Sequence, residues 1–485
     1  MGTARCLRNR SEAIQCASTD QKVVVVGGGI AGLVAANRIL ELGLSCTVLE
    51  QGEGDYVCNS RLTGGMFHLC MKDIAAPPDQ SYASIIRSVP DLASIELARA
   101  VSDTGGRLVK WLRKEGVRLI KALPEEAYRW VLAPPRTMRP GMPWKGRGGD
   151  VMLRTLEARL LERGGTLLRG AKATSLIVEG ESCRGVIAVV NGVKRSFASD
   201  ATVLADGGFQ CNASMLARYV TPRPESLFQR CASTGNGDGI RMAEAVGARL
   251  AGMEFFYGHV LSRAVFGNPG LWPYPIMDRV VAAGIAVNAD GLRFMDEGRG
   301  GVYQTNQIAR LADPLSTTAI FDEKIWQSAG RHSRLTSPNP SLLTRGGVIY
   351  TAPDIESLAR TAGLPSNVLR NTIDTYNDSV ERGTTLQLSP PRSLAFTPVP
   401  IDTPPFYAAP LCAGITYTMG GITTDERARV LSREGGIIHG LFAAGSTTGG
   451  LEGGEMGGYV GGLAKAGTMA LIAAETIAAT FPAHA

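Results

Sequence analysis

The residues whose spacing most directly implies chemistry are six glycine-rich positions and one carboxylate near the start of the chain. Gly27-Gly28-Gly29-Ile30-Ala31-Gly32 follows the run Lys22 to Val26 and leads into an apolar stretch from Leu33 to Leu42. A second apolar run, Ser45 to Leu49, ends in Glu50. Glycines at these intervals suit a pyrophosphate lying on the positive N-terminus of a helix. Gly27 permits the tight turn, Gly29 lets the backbone approach the phosphates, and Gly32 lets helix pack on strand. Glu50, at the end of the second run, is placed to accept a hydrogen bond from a ribose hydroxyl.

Three further glycine stations follow. They are Val203-Leu204-Ala205-Asp206-Gly207-Gly208-Phe209, Thr234-Gly235-Asn236-Gly237-Asp238-Gly239, and the stretch from Gly440-Leu441-Phe442-Ala443-Ala444-Gly445 to Gly461-Gly462. Glycine makes up 59 of 485 residues, about 12% against a usual 7%. Stations so spread imply one long ligand touched from several directions. FAD fits this better than a mononucleotide.

The elements that must hold these residues can be read from periodicity. Lys22 to Val26 is a buried parallel strand, Leu33 to Leu42 a helix closed by Gly43, and Ser45 to Leu49 a second strand. Ser175 to Val178, Gly185 to Val190 and Arg195 to Phe197 read as strands, Ile240 to Val246 as a helix, and Leu463 to Ala478 as an alanine-rich helix.

Composition excludes several classes. Hydrophobic residues are 44% and charged residues 19%, so a large core is available and global disorder is excluded. The net charge is +6, but the basic residues are scattered, which argues against nucleic acid. Nine cysteines with no CxxC, and five histidines with no paired spacing, predict reduced thiols and no metal site. Residues 1 to 20 lack the apolar segment of a secretory signal and read as a mobile tail. No run of 18 apolar residues occurs, so no membrane span is expected and a cytoplasmic protein is.

The chain resembles the flavoprotein family of fumarate reductase, succinate dehydrogenase and 3-ketosteroid dehydrogenase. The resemblance rests on the four glycine stations and on Asn59-Ser60-Arg61-Leu62-Thr63-Gly64-Gly65, Phe67-His68, Gly291 to Glu297, Pro404-Pro405-Phe406-Tyr407-Ala408 and Thr418-Met419-Gly420-Gly421-Ile422, in the family's order. Asp296-Glu297-Gly298 and Gly414 to Thr418 are most similar to the tricarballylate dehydrogenase branch. The fold this implies is α/β: a Rossmann-type FAD-binding domain over residues 20–253 and 419–485, with an inserted α+β capping domain over 254–418. A lid of this kind excludes water during hydride transfer.

The resemblance also implies site residues. Ser60, Thr63, Gly64 and Gly65 would lie along the diphosphate and flavin edge, with Gln51, Ala173, Asp206, Gly207, Asp238, Gly445, Ser446, Gly461 and Gly462 completing the set begun by Gly27, Gly29, Ala31, Gly32, Glu50. The helix after Gly462 would aim its N-terminus at the isoalloxazine and favour the anionic reduced flavin. Some members attach FAD to a histidine in the stretch before the first Gly-Gly. Asn59 to Thr63 contains none, so non-covalent FAD is expected, and His68 reads as structural. His259 matches a substrate-binding histidine of fumarate reductases.

Departures from the pattern bear on substrate. Fumarate reductases carry a proton-delivering arginine where this chain has Gly301; Arg299 is the nearby substitute candidate. A histidine pair becomes Thr416-Tyr417, and Asn-Arg-Leu-Gly-Gly becomes Gly458-Tyr459-Val460-Gly461-Gly462. Two clamps for a dicarboxylate are therefore missing, which disfavours fumarate. Ketosteroid dehydrogenases place a carbonyl-polarising tyrosine near the position of Tyr459.

The expected activity is an FAD-dependent dehydrogenase or reductase acting on a CH–CH bond beside a carbonyl or carboxylate. Tyr459, His259, Arg299 and Tyr417 are its candidate catalytic residues. Two alternatives stay open: amine oxidation, suggested only by Glu452 and Glu455 facing the pocket, and a flavin-binding electron-transfer subunit or scaffold without its own substrate. The expected partners are a small-molecule substrate and a separate electron acceptor.

Overall fold

The computed structural model describes residues 23–135, 144–332 and 336–481, so the tail expected at 1–20 lies outside the described residues. Strand β1 (Val23–Val26) is four valines, all buried, and runs directly into the glycine turn. Helix α1 (Ile30–Glu41) begins inside the glycine motif, three residues before the expected Leu33, because Gly29 is its N-cap. Strand β2 (Cys46–Glu50) includes the expected terminal acid.

These elements belong to a nine-stranded sheet. Its path runs Val193–Ala198, Ser182–Val190, Ile437–Ala443, Ala201–Leu204, β1, β2, Thr166–Arg169. The five strands from Ile437–Ala443 to Thr166–Arg169 are parallel. Their carboxyl ends face one edge, where ligands bind in open α/β sheets. Both faces of β1 and β2 are covered, which explains their unbroken apolar runs.

A six-stranded sheet forms the second layer. Strand β3 (Phe256–Ser262) pairs antiparallel with the 13-residue strand β4 (Phe406–Thr418), which also takes the strands Thr318–Asp322, Tyr350–Ala352 and Leu227–Gln229. Leu227–Gln229 reaches this sheet from chain before position 254, so the second sheet is not confined to the 254–418 segment. Helix α2 (Gly462–Thr480) returns to the first sheet and starts at the edge of the cavity between the layers. Among the described residues no helix is long and apolar enough to cross a membrane.

Candidate active site

One cavity runs from the glycine turn after β1 to the facing ends of β3 and β4. Of the residues expected to hold FAD, Gly27, Gly29, Ala31, Glu50, Gln51, Ser60, Thr63, Gly64, Gly65, Ala173, Asp206, Gly207, Asp238, Gly445, Ser446 and Gly462 line it. Gly32 and Gly461 do not line it. A Cβ on Gly32 would fall 1.8 Å from the Gly27 carbonyl oxygen, so its place is the contact of α1 with the turn. A Cβ on Gly461 would fall 2.3 Å from the His68 carbonyl oxygen.

The cradle fits a dinucleotide cofactor on its own geometry. A Cβ on Gly64 would meet no atom within 4 Å, so the glycine leaves space the protein does not itself fill. Glu50 accepts from the Gly28 and Gly52 amides, both at 2.7 Å, which fixes its carboxylate at the end of β2 with lone pairs left for a hydroxyl. Burial pushes its carboxyl pKa up, opposed by those two amides. Ser60 accepts from the Ile30 amide at 3.0 Å. The short helix carrying it, Asn59–Leu62, is anchored by buried Arg61, which pairs with Asp150 and, at 2.7 Å, with Glu157.

Asp206 is held by the Gly239 amide at 2.7 Å and sits against Thr447. Burial raises its pKa to about 6. A carboxyl with a raised folded-state pKa binds its proton more tightly folded than unfolded, so stability falls as pH rises from about 4 to about 6 and stays lower above. The shift corresponds to about 3 kcal/mol. Thermal unfolding of flavin-free protein at pH 4.5 and pH 7 should show this loss in wild type. Asp206→Asn keeps an acceptor for Gly239 and should remove that component; equal slopes in both proteins would refute it.

At the other end of the cavity, strand register brings four segments together. Tyr257 pairs with Tyr417 and His259 with Gly414 across β3 and β4, with a bulge between Tyr257 and Gly258. Arg230 follows Gln229, which pairs with Ile415, and donates its amide to the Ile415 carbonyl at 2.8 Å. Its guanidinium therefore lies beside Thr416 and donates to that hydroxyl at 3.1 Å. The Arg230 Nε has no hydrogen-bond partner, and burial pushes the guanidinium pKa down. Arg230 forms no ion pair among the described residues, and Asp278 acts on it only at longer range, so this cavity wall holds a guanidinium with no carboxylate in contact.

His259 Nδ1 lies 2.7 Å from Asp278 Oδ2, and its Nε2 lies 3.2 Å from the Tyr257 hydroxyl. Asp278 also accepts from the Val260 amide at 2.8 Å. Its carboxylate explains Gly301: a Cβ there would fall 2.0 Å from the Asp278 carboxyl carbon. Where the resemblance expects an arginine, this chain has an aspartate on a histidine. Tyr257 stacks on Tyr459 with ring centroids 4.0 Å apart, and its pKa is pushed up to about 12, chiefly by burial.

Tyr459, Tyr417 and His259 all line the cavity; Arg299 does not. Arg299 turns to Asp296, at 3.3 Å, and donates to the Glu455 carbonyl at 3.3 Å. It sits on a short turn, Glu297–Arg299, in which Glu297 and Gly298 are buried. The Tyr459 hydroxyl accepts from the Gly462 amide at 3.3 Å and is also hydrogen-bonded to Tyr257. Burial pushes its pKa well up. Tyr417 instead donates to both Glu452 carboxylate oxygens, at 3.0 and 3.1 Å. His68 is buried in the cavity wall, its pKa lowered to about 4 by burial, with its ring edge-on to Tyr459.

Glu452 is fully buried but does not line the cavity. Besides Tyr417 it accepts from the Val460 and Gly461 amides, both at 3.0 Å, and faces Lys465 at 3.4 Å. Glu455 is exposed and also off the cavity. The amine-substrate alternative rested on these two carboxylates and loses its basis.

Sequence reading missed Arg230, Tyr257 and Asp278. Tyr257 carried a signal: two residues before His259 on a strand, it faces the same side. Arg230 and Asp278 carried none, because pairing with distant β4 and β3 delivers them.

The parallel sheet and the glycine-lined cavity at its carboxyl edge define an FAD-binding flavoprotein. Residues 22–461 match the family described as FAD binding domain, and the chain belongs to it. NADH:acrylate oxidoreductase of Vibrio harveyi is 32% identical over 313 residues, 61% of this chain and 29% of that protein, so the chain spans under a third of that relative. The cytochrome-type fumarate reductase of Shewanella frigidimarina is 24% identical over 461 residues, covering 88% of this chain and 72% of that one. The solved 3-ketosteroid Δ1-dehydrogenase of Sterolibacterium denitrificans superposes with a TM-score of 0.70 at 22% identity, over 95% of this chain and 99% of that one. That likeness concerns the fold.

Proposed function

We propose that the chain is an FAD-dependent oxidoreductase acting on a CH–CH or C=C bond next to a carboxylate. The observation that carries this reading is Arg230, a guanidinium with no carboxylate in contact, in the same cavity as the FAD glycines and the Tyr257–His259–Asp278 chain. FAD, held without a covalent bond, supplies the hydride acceptor or donor there. Arg230 grips one carboxylate oxygen pair of the substrate, a charge-assisted contact that orients the adjacent carbons. Tyr459 donates to the oxygen where charge develops. Tyr257 gives or takes the proton at the α-carbon, backed by His259, whose ring Asp278 holds. A single guanidinium suits a monocarboxylate better than a C4 dicarboxylate, and both relatives' names include an unsaturated acid. Electrons enter or leave through a separate carrier, in a cytoplasmic setting suited to the seven free cysteines among the described residues.

The test is anaerobic mixing of the flavin-reduced protein with a panel: acrylate, cinnamate, fumarate, cyclohexenone and methyl cinnamate. A monocarboxylic enoate should reoxidise the flavin fastest, and acid precipitation should release the flavin. Arg230→Met should lower kcat/KM for that acid by about 10² or more, the loss expected for a desolvated charge pair, while leaving methyl cinnamate nearly unchanged. No reoxidation by any member, or equal rates for acid and ester, would overturn the reading.

A further inference from the structure

Two thiols that the proposed reaction does not use face each other beside the cavity. Cys211 Sγ and Cys231 Sγ are 3.7 Å apart, and both side chains are partly exposed. Cys211 follows Gln210, and Cys231 follows Arg230; Gln210 and Arg230 both line the cavity. The same two segments contribute Asp206, Gly207, Thr234, Gly235 and Asp238 to the cofactor cradle. They are already laced together: the Cys211 amide donates to the Gly235 carbonyl at 2.8 Å, and Gln229 donates to the Gln210 carbonyl at 2.8 Å. Gln229 Oε1 accepts from Cys231 at 3.0 Å.

The pair is chemically unlike the other described cysteines. Cys46, Cys183 and Cys412 are buried, and burial pushes their thiols up. Cys58 and Cys70 are pushed up to about 12 by burial. Such thiols are inert because the thiolate is the nucleophile. Cys211 and Cys231 differ: the contact between the two sulfurs draws Cys211 down to about 7. The pair therefore favours one thiolate beside one thiol. A disulfide needs the sulfurs at about 2.0 Å, so they must close by about 1.7 Å, within reach of side-chain rotation.

We propose that Cys211 and Cys231 are a peroxide-oxidisable dithiol whose disulfide straps together two segments that line the FAD cradle. The Cys211 thiolate attacks the O–O bond of a hydroperoxide; that bond breaks, the alcohol or water leaves, and Cys211 becomes a sulfenic acid. Cys231 then attacks this sulfur, the S–S bond forms, and the sulfenic oxygen leaves as water with the Cys231 proton. Two thiols lose two electrons and the peroxide gains them. Release of FAD requires the 206–211 and 230–238 segments to separate, and the strap opposes that separation.

The experiment treats the flavin-loaded protein with hydrogen peroxide, then maps it by non-reducing digestion and mass spectrometry. A peptide joined through Cys211 and Cys231, two hydrogens lighter and separated by dithiothreitol, is expected. In Cys231→Ser the oxidation should stop at Cys211 as a sulfenic acid trapped by dimedone. Cys211→Ser should leave Cys231 untrapped. Flavin release into mild chaotrope should slow about tenfold in oxidised wild type, recover with dithiothreitol, and not change on peroxide treatment of Cys211→Ser. Absence of the linked peptide, or equal trapping in both serine variants, overturns the dithiol. A linked protein with an unchanged release rate overturns the strap.

Discussion

Replacing Lys465 with methionine should destabilise the protein by about 3 kcal/mol or more and loosen the flavin with it. Lys465 and Glu452 are both essentially fully buried, and burial pushes the lysine pKa down. Removing one partner leaves the other charge uncompensated in a place water cannot reach, which typically costs about 3 to 5 kcal/mol. The remaining donors to Glu452 are Tyr417 and the Val460 and Gly461 amides, so the carboxylate keeps hydrogen bonds but loses its counter-charge. These same contacts hold the turn into α2 and the Tyr417 ring against the cavity. Loss of order there should reach the flavin, because Gly462, Leu463 and Ala466 line its side of the cavity. The check is denaturation followed by flavin fluorescence, with the double variant Glu452→Gln/Lys465→Met as control. A neutral glutamine retains an acceptor for the amides, so the double variant should be more stable than Lys465→Met alone. A double variant no better than the single one would show that packing, not charge, sets the cost.

This pair illustrates where sequence reading ends. The glycine cradle was legible because a phosphate approached by backbone demands glycine at fixed local spacing, and local spacing survives in the chain. Even there, α1 starts at Ile30 rather than Leu33, since the N-cap lies inside the motif. Glu452 could be seen as an unusual carboxylate in a glycine loop, but its direction depends on Lys465 and Tyr417, which the fold supplies. Arg299 shows the converse error. Closeness in sequence to Gly301 suggested a substitute for the missing arginine, yet the turn directs it to Asp296. The space was instead taken by Asp278, 23 positions upstream of Gly301 in the numbering, through a side chain that only glycine at 301 can accommodate.

Tyr257→Phe should lower the proton-transfer step by about 10² to 10⁴ while leaving the flavin and carboxylate binding in place. With a pKa pushed up to about 12, Tyr257 is neutral at pH 7 and a poor base on its own. Its hydroxyl nevertheless touches His259 Nε2, and Asp278 on Nδ1 favours the tautomer whose Nε2 lone pair accepts the phenol proton. In the proposed mechanism the tyrosine is the near end of a relay rather than a lone group. Phenylalanine removes the transferable proton and keeps the ring stacked on Tyr459. Carboxylate affinity should stay within about threefold of wild type, because Arg230 is the residue proposed to make the charge-assisted contact. Asp278→Asn should also slow proton transfer, since an amide can donate to Nδ1 and reverse the tautomer. Two readouts separate these effects from misfolding: ligand affinity from the flavin difference spectrum, and exchange of the substrate α-proton with deuterated solvent. In both variants affinity should persist while exchange collapses. Undiminished exchange in Tyr257→Phe would remove Tyr257 from the mechanism and return the proton to Tyr459, whose hydroxyl accepts from the Gly462 amide.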